Sequence, residues 1–178
     1  MLVNKLGITD EASLELAEIE LTQERIEQYE PNVNDISLPA LQQIYRYLFQ
    51  DIYGWAGELR TVDIAKGSTR FVNASRIEPE AKKLFQQRGQ DDNLVGLPRD
   101  MLVGRLDHYY CELNVIHPFR DGNGRAQRLL FEVIAINAGY ELHWEPIGGA
   151  EWRGANIAAY NCRLQSLTDL LDRAVTPI

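Results

Sequence analysis

The chain is short of cysteine, of positive charge and of uninterrupted apolar sequence, and each shortage removes a class of protein. Its two cysteines, Cys111 and Cys162, lack the spacing of a metal-ligand set, which excludes a disulfide-stapled scaffold or a zinc module. Both read as buried thiols of a reducing compartment. Lys and Arg number 18 against 26 Asp and Glu, for a net charge of -8. That balance argues against nucleic acid or an anionic membrane as the main partner, because both need clustered basic residues. No apolar run approaches the roughly 20 residues that cross a bilayer, and no signal peptide opens the chain. The expected place of action is the cytoplasm, with delivery into another cell left open. There is no internal repeat and no low-complexity tract. What is present is 178 residues, 45% of them hydrophobic, which suits one domain over 1–178 with a full core.

The apolar residues recur mostly at helical spacing. A first helix capped by Thr9 would carry Asp10 and Glu11 in its first turn and turn Ala12, Leu16, Ile19 and Ile26 to one face. Its other face is acidic, with eight carboxylates and one arginine between Asp10 and Glu30. That face reads either as solvated surface or as a handle for a basic partner. After Pro31-Asn32-Val33-Asn34-Asp35, a second helix begins near Leu38-Pro39 and buries Leu41, Ile44, Leu48 and Ile52. It runs into a bend at Tyr53-Gly54-Trp55-Ala56-Gly57, with Trp55 as a core anchor.

Between Thr61 and Phe71 the period changes. Val62 and Ile64 alternate with polar residues, Lys66-Gly67-Ser68 turns, and Arg70-Phe71-Val72 returns, the pattern of a β-hairpin over about 61–73. A lone hairpin is marginal and exposes an edge, so it is either a surface connection or a docking device. Ser75-Arg76-Ile77-Glu78 reads as a capping box opening a third helix that ends near Gly89. A fourth, starting at Pro98, buries Leu102, Leu106, Tyr109 and Leu113. A fifth carries Leu129, Val133 and Ile136 and stops at Ala138-Gly139. Glu141 to Glu145 reads as a short extended piece, followed by helices holding Trp152, Ile157 and Tyr160, then Leu164, Leu167, Leu170 and Leu171. His108 and His143 read as structural or surface residues.

One stretch carries chemistry: His117-Pro118-Phe119-Arg120-Asp121-Gly122-Asn123-Gly124-Arg125-Ala126-Gln127-Arg128, a loop running into a helix over 117–138. A glycine-flanked helix start offers unpaired N–H groups and the positive end of the dipole to an anion. Arg125 and Arg128 stand three apart on one face, each with a planar fork of donors that suits phosphate. Asp121 beside an anion site makes sense if Mg²⁺ bridges carboxylate and phosphate. His117 is the nearby group able to take a proton from a hydroxyl near neutral pH.

These residues fit His-x-Phe-x-Asp/Glu-Gly-Asn-Gly-Arg-x-x-Arg at every specified position, so the chain resembles the Fic family from Asn4-Lys5-Leu6-Gly7 to its last helix. The resemblance implies an all-α Fic fold, a helical bundle with a short β-hairpin flap beside the active-site loop. It further implies transfer of AMP from ATP, with Mg²⁺, to a hydroxyl of a target protein. By this likeness His117 is the base and Phe119 points inward to fix the loop. Asp121 binds Mg²⁺. Gly122, Asn123 and Gly124 form the anion hole, Asn123 touching the α-phosphate. Arg125 holds the β-phosphate and Arg128 the γ-phosphate. The flap, with Ile64, Lys66, Gly67, Ser68 and Phe71, docks the target as an added strand.

Two departures refine the expectation. The family's kinase branch has Lys where Gly124 stands, so Gly124 favours nucleotidyl transfer. Many members also carry an inhibitory Ser/Thr-x-x-x-Glu helix, and no Ser or Thr here has Glu four residues later. The resemblance then implies a stand-alone toxin silenced by a separate small antitoxin bearing that helix and packing near the acidic first helix. Toxins of this kind modify the ATPase subunits of type II topoisomerases. Rival readings are a phosphate-binding module without turnover, a Fic-type transferase using another nucleotide, and a purely structural helical domain.

Overall fold

A central layer of three helices, α2 (Leu38–Phe49), α4 (Arg99–Ile116) and α5 (Asn123–Ala138), holds the core. The computed structural model describes residues 1–32 and 35–178. Val33 and Asn34, part of the connection read between the first two helices, lie outside the described residues. Around the core stand α1 (Glu11–Glu27), α3 (Ile77–Gln90), α6 (Gly149–Tyr160) and α7 (Gln165–Ala174), with 3-10 turns at Ala74–Arg76 and Asp92–Leu94. Two small antiparallel sheets complete the chain: β1 (Ala65–Lys66) with β2 (Thr69–Arg70), and β3 (Tyr140–Leu142) with β4 (Val175–Pro177). No helix is long and apolar enough to cross a membrane, among the described residues.

The helical stripes of α2, α4 and α5 explain the layer. Leu41, Ile44 and Leu48 of α2, Leu102, Leu106, Tyr109 and Leu113 of α4, and Leu129, Leu130 and Ile134 of α5 are all buried in one core, with α5 packed against both α2 and α4. Side chains spaced three and four apart on each helix make that continuous seam. Tyr45 stacks on Phe49 at 4.3 Å and on Phe119 at 4.1 Å, so the loop between α4 and α5 is fastened to α2 through aromatic faces. After α2 the chain turns back at Gly57, whose φ of 88° is left-handed and whose Cβ, were there one, would lie 2.8 Å from Gln42 O. Gln42 Nε2 donates to Gly57 O at 2.9 Å, holding this turn against α2. Trp55 is a half-buried anchor, stacked on Tyr53 at 4.3 Å with its Nε1 donating to Val3 O at 3.2 Å.

Several expectations need correction. Asp10, not Thr9, caps α1, its carboxylate accepting from Ser13 N at 2.8 Å. The buried side of α1 is Leu14, Glu18 and Thr22, while Leu16 and Ile19 are exposed. Polar Glu18 and Thr22 outrank two apolar residues because they have buried partners on other elements, which helical periodicity alone does not register. The capping box at Ser75 does not form: α3 starts at Ile77 after a 3-10 turn, with no side-chain cap, and Asp63 accepts from Ala74 N at 2.7 Å. The hairpin strands are two residues each, shorter than the alternation suggested, and Val62 is exposed. Cys111 is half-buried and Cys162 exposed, both free thiols, so the reading of two buried cysteines is corrected for Cys162. The extended piece near Glu141 pairs with a C-terminal strand that its sequence, Val175-Thr176-Pro177, did not announce.

Candidate active site

The site is the junction where α4 ends and α5 begins. His117 closes α4 as its left-handed cap, with φ 49° and ψ 65°, its N–H donating to Leu113 O at 3.1 Å. A non-glycine residue seldom adopts this conformation, and it turns the chain out of the helix where the imidazole is needed. Phe119 is completely buried. Asn123 brackets it, Oδ1 accepting from Phe119 N at 2.8 Å and Nδ2 donating to Phe119 O at 2.9 Å. Gly122 has a φ of 67°, and a Cβ there would fall 2.3 Å from Phe49 Cζ, so no other residue fits. The side chain of Asn123 is thereby engaged with the loop, while its backbone N–H stands at the open start of α5. With Gly124 it opens α5, where N–H groups lack acceptors within the helix and face the positive end of the dipole.

His117 Nδ1 lies 3.1 Å from Asn114 O. A carbonyl only accepts, so Nδ1 carries the proton and Nε2 presents a lone pair. Nε2 is buried and has no partner among the described residues. The Phe71 ring stacks on the imidazole at 3.8 Å and 14°. Burial pushes the imidazole down to about 4, with the Lys66 charge adding to the effect; the Asn114 bond opposes it, Arg60 reinforces it and Asp121 opposes it.

The two motif arginines are in different states. Arg125 forms an ion pair with buried Glu18, its Nη1 donates to Thr22 Oγ1 at 3.2 Å, and its guanidinium lies 4.7 Å over the Phe49 ring. Tyr53 also donates its hydroxyl to Glu18. Arg128, half-buried, makes no hydrogen bond or ion pair among the described residues. The sequence reading missed Glu18 because it counted every carboxylate of α1 as outward. Its spacing with Leu14 and Thr22, four and four, is the one signal that could have singled it out.

Two clefts flank the junction, and Arg125 lines both. One, of about 680 Å³, takes Arg128, Leu129, Glu132, Trp144 and Trp152 into its wall. There Glu132 accepts from Trp144 Nε1 at 2.7 Å, and burial pushes its carboxyl up. The other, of about 590 Å³, brings together Glu18, Tyr53, Ile64, Lys66 and Asp121. Asp121 Oδ1 accepts from Gly122 N at 2.7 Å and lies 3.8 Å from Lys66 Nζ; its side chain is half exposed. Gly67 and Ser68 form the exposed tip of the hairpin, and Phe71 turns inward onto His117. Among the described residues no three His, Cys, Asp or Glu side chains converge as a metal cage. One half-exposed carboxylate beside an anion-binding helix start fits a divalent cation that arrives with phosphate oxygens as its other ligands, and does not fit a metal held by protein alone.

The junction, its donors and its buried lone pair can bind a polyphosphate and accept a proton close to it. The Fic/DOC family matches residues 35–135. The chain is 43% identical over 173 residues to the probable protein adenylyltransferase Fic of Salmonella typhimurium, covering 97% of this chain and 86% of that one. It is 34% identical to the protein adenylyltransferase VbhT of Bartonella schoenbuchensis over 99% of its own length and 37% of VbhT. Among solved structures, BepC of Bartonella tribocorum with bound AMPPNP superposes with a TM-score of 0.94 at 25% identity, covering 100% of this chain and 93% of that one. The N-terminal Fic domain of a Bartonella quintana Bep effector with bound ADP gives 0.96 at 27% identity, covering 99% and 91%.

The Glu18–Arg125 pair yields a prediction. Glu18→Gln keeps the shape and removes the charge that neutralises Arg125. Chemical denaturation should show a loss of about 1–3 kcal/mol, since a charge-assisted buried bond is weakened. Calorimetric titration with pyrophosphate should show roughly three- to tenfold tighter binding, the effect of one uncompensated charge in a partly screened cleft. Weaker binding would mean instead that Glu18 is needed to hold Arg125 in place.

Proposed function

The chain belongs to the Fic/DOC family, and on that premise we propose that it is a protein adenylyltransferase that moves AMP from ATP to a hydroxyl side chain of another protein. The observation that carries this reading is His117, whose buried Nε2 has no partner among the described residues and which lies in the loop that leads into the open start of α5. The target hydroxyl attacks the α-phosphorus, the bond from that phosphorus to the bridging oxygen breaks, pyrophosphate leaves, and the hydroxyl proton passes to Nε2.

The roles follow from position. The N–H groups of Asn123 and Gly124 stabilise charge on the α-phosphate. Gly122 lets the loop press against Phe49, and Phe119 with the Asn123 side chain fixes where it sits. Arg125 holds the β-phosphate from its seat on Glu18, and Arg128 takes the γ-phosphate. Asp121 is the residue that would hold Mg²⁺, which when bound supplies charge neutralisation on the phosphates. Ile64, Lys66, Gly67, Ser68 and Phe71 belong to the flap that receives the target segment, Phe71 fixing its inner end on His117.

Regulation by a separate small protein is the reading for control. Arg128 forms no ion pair with a carboxylate among the described residues, and the sequence contains no Ser/Thr-x-x-x-Glu. The outer face of α1, with exposed Leu16 and Ile19 among acidic residues, offers such a partner both apolar and charged contact. This makes the chain the toxin of a toxin–antitoxin pair acting in the cytoplasm, with the ATPase subunits of type II topoisomerases as the expected target.

With Mg²⁺ and lysate, α-labelled ATP should label a protein and γ-labelled ATP should not; labelling with the γ-phosphate alone would make the enzyme a kinase. His117→Ala should lower labelling by at least about a hundredfold with an unchanged melting temperature, and mass spectrometry should identify the modified protein. Because the imidazole is neutral above about 4, the rate should stay nearly level from pH 8 to pH 5 and fall only as Nε2 becomes protonated below that; a fall centred near pH 6.5 would show an unburied base. Mixing with the product of a short adjacent reading frame should give a complex and suppress labelling, and Arg128 is the residue whose replacement should weaken ATP binding in the same way.

A further inference from the structure

Arg60, on the segment between the Gly57 turn and β1, is 3% exposed, and no ion pair with a carboxylate forms on its guanidinium among the described residues. Its acceptors are backbone carbonyls. Nε donates to His117 O at 2.8 Å, Nη1 to Val62 O at 2.7 Å, and Nη2 to Ile116 O at 3.2 Å and to Val72 O. Val62 and Val72 are the two legs of the hairpin, while Ile116 and His117 end α4. The backbone N–H of Arg60 donates in addition to Pro118 O at 2.9 Å.

The chemistry suits a guanidinium and little else. The last carbonyls of a helix lack partners within it and carry the negative end of its dipole, so a cation is stabilised there without a carboxylate. Reaching four carbonyls on three segments takes a planar fork with five N–H groups; a lysine ammonium has three donors on one atom. Such a buried cation would be costly if its donors were left open, which explains why each nitrogen is used.

We propose that Arg60 is a positioning residue that joins the hairpin and the His117 backbone into one unit, so that a segment laid on the hairpin is presented at a fixed place relative to Nε2. This rests on the adenylyl-transfer reading above. Two further contacts share the task. Val72 N donates to Val115 O at 3.0 Å, and the Phe71 ring lies on the imidazole. At the far side the Tyr160 hydroxyl donates to Arg70 O at 2.6 Å and accepts from Arg70 N at 3.2 Å, closing the outer edge of β2. The start of α5 is held by Gly122, Phe119 and Asn123, and none of the guanidinium's hydrogen bonds goes to these residues. Arg60 therefore governs the acceptor side of the reaction and leaves the nucleotide side alone.

The test is Arg60→Lys in the full chain, with two readouts. In steady-state labelling, kcat/KM for the protein acceptor should fall by about tenfold or more, the worth of one lost charge-assisted hydrogen bond, while ATP affinity stays within about twofold. In hydrogen exchange, the amides of Val72 and His117 should open faster together, and that of Leu130 in α5 should not change. Unchanged acceptor kinetics, or separate behaviour of Val72 and His117, would overturn the proposal. So would a parallel loss of ATP affinity, Leu130 protection and melting temperature, which marks a merely structural residue. If the variant does not fold, exchange in the wild type under rising denaturant decides: Val72 and His117 should share one opening free energy, and different values refute the coupling. Wild-type protein that labels no acceptor counts against the transfer reading alone, since the exchange pattern judges the coupling by itself.

Discussion

The bracket that Asn123 makes around Phe119 is the constraint on which the site depends. Its carboxamide satisfies both the N–H and the C=O of one buried residue, Phe119, so the loop can bury that ring against Tyr45 without leaving its polar backbone unpaired. Gly122, pressed against Phe49, fixes the turn from the other side. With the loop clamped at both ends, the left-handed cap at His117 and the first N–H groups of α5 are held a few residues apart. The imidazole and the open N–H groups are therefore preorganised by packing.

Charge is distributed around that frame with a clear division. Burial and neighbouring cations favour the neutral imidazole of His117 over one more cation. Glu18 and Thr22 hold Arg125, and Phe49 supports its planar face. Arg128 is not held by such partners, and Glu132 nearby is engaged with Trp144. One arginine is thus seated before any phosphate arrives, while the other remains the adjustable one, which is why control by an external carboxylate would act on Arg128.

Much of this was legible in the residues. The stripe Leu102, Leu106, Tyr109 and Leu113 announced α4, Ala138-Gly139 announced the end of α5, and the motif placed His117, Asp121 and both arginines at one helix start. Signals that depend on a distant partner were not legible. Leu16 and Ile19 look like core residues until Glu18 is found paired with Arg125, more than a hundred positions away. Arg60 looks like an ordinary surface arginine, because its partners are carbonyls, which every residue has. Ser75 caps nothing, because α3 follows a 3-10 turn whose first N–H is taken by Asp63, a residue on the hairpin leg. The pairing of β3 with β4 joins segments too short and too far apart for local pattern to reveal.

In the proposed transfer the target hydroxyl attacks the α-phosphorus directly with His117 as base, and no enzyme-bound nucleotide forms in between. The most direct measurement is the stereochemistry at phosphorus when ATP made chiral with sulfur at the α-position serves as donor and the modified acceptor is recovered. One in-line displacement gives inversion of configuration, the result expected here; retention would show two displacements through a covalent enzyme intermediate and contradict the account.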